Sequence, residues 1–265
     1  GGYEKSLVRA LRQVQLPVEI VHTTRFKAYR EMVGVKAKSD TSDARLLAAY
    51  AAAPDDIRGR KPGHVELPED TIREMLAELA TRRDQLKHMI HAENCRLATV
   101  RLTDLRRSIT AHIDALGIED KQIHQTMLAL VRQRLDLQHE QRLLRTIKGI
   151  GVKSALAILA SVPELGRIDN KAAAALIGVA PFVHTSGTMK APARIHGGRA
   201  GVRRILYMAA VTASRHNPVL RPFSDRLIAK GKPPKLALIA VLRRLVVFAN
   251  AVLKSGQPWK GAFTT

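Results

Sequence analysis

The sequence predicts a mainly α-helical chain with a short α/β unit at its start. Three observations carry that expectation. Apolar residues recur at helical spacing along most of the chain. Aromatics make up only 4% of it, so alanine and leucine, both good helix formers, must supply most of the packing. One early stretch, Pro17-Val18-Glu19-Ile20-Val21-His22, alternates as a strand does, directly after a helical segment. At 265 residues and 46% hydrophobic, the chain is long enough for two domains, or for one domain and a helical arm, and its composition is not that of a disordered protein.

In order, Leu7, Val8 and Leu11 give one apolar face to a helix from Glu4 to Gln13. After the alternating stretch, a polar lead-in from Lys36 to Ser39 opens an Ala/Leu helix that reaches Tyr50. Asp40 and Asp43 fall three apart on one face of it. Two carboxylates so placed can share a hard cation such as Mg²⁺, which takes only one or two protein oxygens. The same pattern also reads as Ser39 or Asp40 capping the helix with Asp43 as a first-turn acid, and spacing alone favours the cap. Ala53-Pro54 ends the helix, and residues 59–68, with Gly59, Pro62, Gly63 and Pro68, read as a linker that closes a first domain at 1–58.

Residues 69–142 change character. Ile72, Met75, Leu76, Leu79, Leu86, Met89 and Ile90 mark a long amphipathic helix, with a possible break near Ala98, that runs to Leu116. Gly117 is the expected turn, and a second helix from Asp120 to about Arg145 carries Ile123, Met127, Leu130, Val131 and Leu137. The pair reads as an antiparallel hairpin or coiled coil, suited to spacing or self-association. His88, His91 and Cys95 share one face of the first helix, the geometry of a partial zinc site, but no second cysteine or fourth ligand accompanies them. The lone Cys95 excludes an internal disulfide and fits a reducing compartment.

The last third, 143–256 with a loosely ordered tail at 257–265, concentrates the charge. From Arg142 onward there are 21 lysines and arginines against Glu164, Asp169 and Asp225, which is +18 of the chain's +21. A packed segment so lopsided is a surface for a polyanion, nucleic acid first. Within it, Lys148-Gly149-Ile150-Gly151-Val152-Lys153 followed by an apolar helix has the form of a helix-hairpin-helix turn, in which glycines let backbone N–H groups reach a phosphate. A short helix from Asn170 to Gly178 follows, capped by Asp169. Residues 180–188 leave regular structure, and Ser186 sits there in a Thr-Ser-Gly-Thr turn. Lys190, Arg194, Arg199, Arg203 and Arg204 come after it, with Gly197, Gly198 and Gly201 between, and they complete the candidate nucleic-acid contacts. A serine near arginines suits attack on a phosphodiester, yet this is also among the commonest turn compositions. The final helix, Lys235 to Leu253, is apolar enough to be the core helix, and charges interrupt every apolar run before the roughly 20 residues a bilayer needs, so no membrane partner is expected.

Several of these patterns occur together in one order. Lys38-Ser39-Asp40-Thr41-Ser42-Asp43-Ala44, Ile147-Lys148-Gly149-Ile150-Gly151, Ala180-Pro181 with Ser186-Gly187, Gly198 with Arg203, Leu206-Tyr207 with Ala209-Ala210, and Gly231-Lys232 resemble the IS110 family of insertion-sequence transposases, which also holds Piv/MooV-type DNA invertases. The resemblance covers nearly the whole chain. It implies a RuvC-like, RNase H-type α/β domain with four acids, then a helical coiled coil, then an all-α transposase domain with a serine. It further implies DNA recombination with Mg²⁺, assembly into a dimer or tetramer, an element-encoded guide RNA in many members, and a cytoplasmic, nucleoid-associated place in a bacterium. By motif, Asp40 and Asp43 match the last two acids and Ser186 matches the serine that links to DNA. One departure stands out. In the family Gly-Gly-Tyr follows a Glu-x-Thr that bears the second acid, whereas this sequence opens at Gly1-Gly2-Tyr3. The expectation is therefore an N-terminally truncated member that binds DNA without recombining it. The alternative is a non-catalytic helix-hairpin-helix DNA-binding protein, and a weaker one is a junction nuclease that cuts without a covalent link.

Overall fold

The helical periods of the sequence become helices, and helices dominate the protein. The computed structural model describes residues 4–16, 18–21, 23–36, 39–58, 70–182, 185–186, 189–190 and 194–261, with backbone alone at Lys5, Phe182, Thr185, Ser186, Met189, Lys190 and Arg194. The chain divides into two compact units, residues 1–64 and 65–265.

The first unit holds α1 (Glu4–Gln13), α2 (Thr23–Met32), α3 (Asp40–Ala52) and α4 (Asp55–Arg58). Helix α3 starts at a reciprocal cap. The Ser42 N–H donates to Ser39 Oγ at 3.2 Å and the Ser39 N–H donates to Ser42 Oγ at 3.1 Å. Tyr50 is its buried anchor. The rings of Phe26 and Tyr29 meet it edge-on at 6.2 and 5.1 Å, and its hydroxyl donates to the Arg58 carbonyl at 2.9 Å. The expected strand is not there: residues 18–21 are irregular, and Pro17 and His22 lie outside the described residues. Alternation alone cannot hold a strand, because its N–H and C=O groups need a neighbouring strand, and among the described residues this unit offers none. The expected linker 59–68 also lies outside the described residues.

The second unit opens with α5 (Thr71–Thr99) and α6 (Thr103–Arg132), packed as a hairpin. Its turn is at Val100–Leu102 and not at Gly117, which lies inside α6. The Arg106 guanidinium closes the turn by donating to the carbonyls of Leu97 and Val100, both at 2.8 Å. One glycine costs a long, packed helix only about 1 kcal/mol, too little to break it. Then come α7 (Leu135–Arg145), α8 (Val152–Ser161), α9 (Asn170–Ile177), α10 (Ala200–His216), α11 (Leu220–Ala229) and α12 (Pro234–Ser255). Helix α9 begins at Asp169, whose carboxylate accepts from the Ala172 N–H at 2.7 Å, and ends at Gly178 in the left-handed region.

Helix α12 is long and apolar enough to cross a bilayer by length and composition, contrary to the expectation from the sequence. Here Val241, Leu242, Leu245, Val246, Ala249 and Val252 are buried against the other helices, the position of a core helix. The hairpin and the basic segment share one core: Leu76 and Met127 join Leu156, Ile158, Leu206 and Val246. Arg73 on α5 donates to both oxygens of Glu140 on α7, at 2.9 and 2.7 Å. Between α9 and α10 the stretch expected to be irregular forms two antiparallel ladders, β1 (Pro181–Phe182) with β4 (Arg194–Ile195) and β2 (Thr185–Ser186) with β3 (Met189–Lys190). The start of the tail is docked and not loose. The Trp259 N–H donates to Thr146 Oγ1 at 2.9 Å, and its ring lies 5.7 Å from that of Phe248.

Candidate nucleic-acid interface

The turn between α7 and α8 is anchored from below and open above. Ile147 and Ile150 are buried, and the Ile150 N–H donates to the Ile147 carbonyl at 2.9 Å. Gly149, at φ +113°, lies against α10: a β-carbon there would stand 2.6 Å from the Ala213 β-carbon and 3.0 Å from the Ala209 carbonyl oxygen. Asn217, fully buried, clamps the same turn. Its amide donates to the Lys148 carbonyl at 2.8 Å while its oxygen accepts from the N–H groups of Val219 and Leu220 at 3.0 and 3.1 Å. Gly151 is different, since a β-carbon there would meet nothing within 4 Å. It precedes α8 without a side-chain cap, and the first helical bond runs from Ala155 N–H to the Gly151 carbonyl. The N–H groups of Val152, Lys153 and Ser154 therefore have no intrahelical acceptor and carry the positive end of the helix dipole.

This turn forms one wall of a cleft of about 860 Å³, whose other walls are α5 and α10. Arg145, Lys148, Lys153, Lys87 and Arg204 line it, above apolar side chains that include Ala80, Met127, Ile150, Ile205 and Met208. Its electrostatics are strained toward positive charge. Burial, then the charges of Arg83 and Lys153, push the Lys87 ammonium below its ordinary value. Burial, Arg83 and Lys153 likewise lower His124. The main internal counter-charge is Asp120, on which Arg83 makes a two-point contact at 2.7 and 3.1 Å. Burial works against the Asp120 carboxylate, but the bonds from Arg83 and the charges of Arg83, Lys87 and Lys153 outweigh it and hold it below the usual range. Asp84 answers Arg204 at 2.9 Å. For Lys87, Lys148 and Lys153 the described residues supply no direct salt-bridge partner, although the charges of Asp120 and Asp84 reach Lys87, so an incoming anion finds three ammonium groups outside contact pairs beside open N–H donors.

Of the residues singled out in the sequence, Lys148, Gly149, Gly151, Lys153 and Arg204 meet in this cleft. Arg199 and Arg203 are engaged inside the fold. Arg199 holds both oxygens of Glu164 at 2.6 and 2.5 Å, and Arg203 donates to the carbonyls of Ile177 and Gly197 at 3.0 and 2.6 Å. Both thereby fix the approach to α10. Ser186 pairs through its backbone with Met189, and Lys190 with Thr185. The side chains of Ser186, Lys190 and Arg194, and the whole of Gly187 and Thr188, lie outside the described residues. The histidine face is divided: His88 contacts Arg204, while Cys95 Sγ lies 3.8 Å from His91 Nε2. Among the described residues no group of three metal-ligating side chains forms. Sequence reading missed Arg83, Lys87, Arg145 and Asn217. Arg83 and Lys87 carried a signal, four apart on one face of a helix, but nothing local showed that this face meets the glycine turn.

In the first unit Asp40 is exposed at the start of α3, and Asp43 is half-buried in an ion pair with Arg30 of α2.

The model of the IS116/IS110/IS902 transposase family matches residues 141–225, and a second transposase model, of the IS110 DEDD type, matches residues 1–104. The two matches together support an IS110-type transposase. Its relatives include the pilin gene-inverting proteins of Moraxella bovis, 29% identical over 98% of this chain and 79% of that protein, and of Moraxella lacunata, 28% identical over the same shares. An uncharacterized 43.6 kDa protein of the insertion element IS110 in Streptomyces coelicolor is 29% identical over 43% of this chain and 28% of its own length. The transposase is thus an enzyme that acts on DNA. DEDD transposase domains typically use divalent metals. In this transposase Asp40 is exposed and Asp43 stands against Arg30, and among the described residues no third metal-ligating side chain joins them.

Proposed function

We propose that this transposase grips the DNA backbone in the cleft between α5, the Gly149–Gly151 turn and α10. One observation carries the reading: Lys87, Lys148 and Lys153 converge, without salt-bridge partners among the described residues, on the open N-terminus of α8. The turn acts as a helix-hairpin-helix-like phosphate clamp, sequence-blind and salt-dependent. Arg204 adds a further cation from α10, paired with Asp84, and Arg199 and Arg203 keep α10 in place. Lys190 and Arg194, in the ladders between α9 and α10, belong to this reading as further DNA contacts. A homo-oligomer, dimer or tetramer, and an element-encoded guide RNA belong to this reading as partners, and a cytoplasmic, nucleoid-associated location follows from DNA as the target.

Ser186 is the nucleophile of the family reaction in this reading. Its hydroxyl oxygen would bond to the phosphorus of a phosphodiester, the bond to the leaving strand's oxygen would break, and that oxygen would take up a proton. The RNase H-like character of the first unit and a Mg²⁺ role for Asp40 and Asp43 stay part of the family picture. For this chain the reading is narrower: it binds DNA with or without Mg²⁺ and does not recombine it.

Fluorescence anisotropy on a labelled duplex tests the binding. The Kd should be unchanged by Mg²⁺ and by Asp40→Ala, and should weaken about tenfold in a Lys148→Gln, Lys153→Gln double variant. Equal affinity in that variant would remove the cleft from the reading. A nicked duplex tests the chemistry: an SDS-stable adduct formed by the wild type and lost in Ser186→Ala would establish the serine and overturn the inactivity.

A further inference from the structure

The cleft holds more than a phosphate site requires. Its lining mixes cations with a floor-forming apolar set that includes Ala80, Met127, Ile150 and Ile205, with Met208 at its exposed side, and its volume of about 860 Å³ is within the range of pockets that take small organic groups. A duplex backbone cannot fill such a floor, because pressing phosphate onto apolar side chains removes its water without replacing the hydrogen bonds. The group that joins an apolar, flat-faced body to an anion is a nucleotide whose base is not paired. We infer that the cleft is a pocket for one unpaired nucleotide of a DNA strand, with the base on the floor and its phosphate against Lys153 and the N-terminus of α8. The inference rests on the reading of the cleft as the DNA-binding surface and names what that surface selects.

Three further features fit a base. Ser154 lines the pocket at 8% exposure, and its hydroxyl has no hydrogen-bond partner among the described residues. It can donate to, or accept from, a base edge. Met127 and Met208 offer thioethers, which pack adaptably on aromatic faces and so suit any of the four bases. Lys87, whose charge is disfavoured by burial and by Arg83 and Lys153, regains a counter-ion when a phosphate arrives at the rim. Extruding a paired base costs a few kcal/mol and an already unpaired one far less, so the pocket makes the protein select bulges, mismatches and strand ends over intact duplex.

The test uses the full chain and two duplexes that carry the fluorescent base 2-aminopurine, once unpaired in a single-nucleotide bulge and once paired. The bulged duplex should bind about tenfold tighter, and the emission of its 2-aminopurine should change on binding while that of the paired one stays constant. Met208→Trp fills the pocket from a position that is 62% exposed, so the fold is not threatened. It should abolish both the preference and the emission change, with the melting temperature unaltered. Equal binding of the two duplexes with no emission change overturns the pocket while leaving the phosphate grip intact. A preference that survives Met208→Trp overturns the pocket's location. Failure to bind either duplex overturns the proposed function, and the pocket with it.

Discussion

Two glycines two positions apart do opposite work. Gly149 is glycine for the fold: its positive φ and the 2.6 Å approach to Ala213 leave no room for a methyl group. Gly149→Ala should therefore cost about 3 kcal/mol, from backbone strain plus overpacking, read as a lower midpoint in urea. Gly151 is glycine for the ligand. Nothing inside the protein meets a β-carbon there, so Gly151→Ala should change stability by less than about 1 kcal/mol yet weaken duplex binding, because the methyl group stands where a phosphate approaches the α8 N–H groups. Equal loss of stability in both variants would sink this division. Beside them, His124 supplies a pH dependence. Burial and the charges of Arg83 and Lys153 lower its folded pKa below the unfolded one, opposed only by Asp120. The unfolded chain then binds the proton more readily, so this stability is present above the ordinary histidine pKa and is lost as pH falls through the folded value. The melting temperature should drop from about pH 7 to about pH 5, and His124→Gln should reduce the drop. An unchanged drop in that variant would assign it to other groups.

Among the elements, the α5–α6 hairpin shows what could be read in the sequence and what could not. Helical character there follows from apolar spacing, as it does in α9 and α12, although the helix expected from Asp120 to about Arg145 is broken between α6 and α7. Placing its turn at Gly117 failed because glycine is only a weak helix breaker and the real turn depends on Arg106 reaching back to Leu97 and Val100. The strand expected at 17–22 failed for the same kind of reason: pairing is a tertiary property that alternation does not encode. At the site, the glycine turn was legible, because Gly-x-Gly before an apolar helix has a local meaning. The α5 wall with Arg83 and Lys87 was not, since it arrives from some 65 residues upstream through packing alone. Gly117 offers a direct check. A β-carbon there meets nothing within 4 Å, so Gly117→Ala should stabilise the protein by roughly 0.5–1 kcal/mol through helix propensity. Destabilisation would show that α6 needs the glycine for a contact this structure lacks.

The whole molecule carries +21, of which +18 lies from Arg142 onward, and a charge of that size admits two explanations for DNA binding. Either the entire basic surface attracts DNA as a diffuse cloud, or a few convergent cations neutralise particular phosphates. Salt dependence separates them. Each phosphate neutralised releases condensed counter-ions and adds about −0.9 to the slope of log K against log salt concentration. Lys153 lines the cleft at the start of α8, whereas Lys254, at the end of α12, does not line it. Lys153→Gln and Lys254→Gln lower the net charge by the same amount. If the cleft is the grip, only Lys153→Gln should flatten the slope, by about 0.9, and weaken binding at every salt concentration. If the cloud does the work, both variants should shift binding alike. Equal shifts would return the cleft to being a gap between helices, and would move attention to Lys190, Arg194 and the ladders between α9 and α10 as the place where DNA is held.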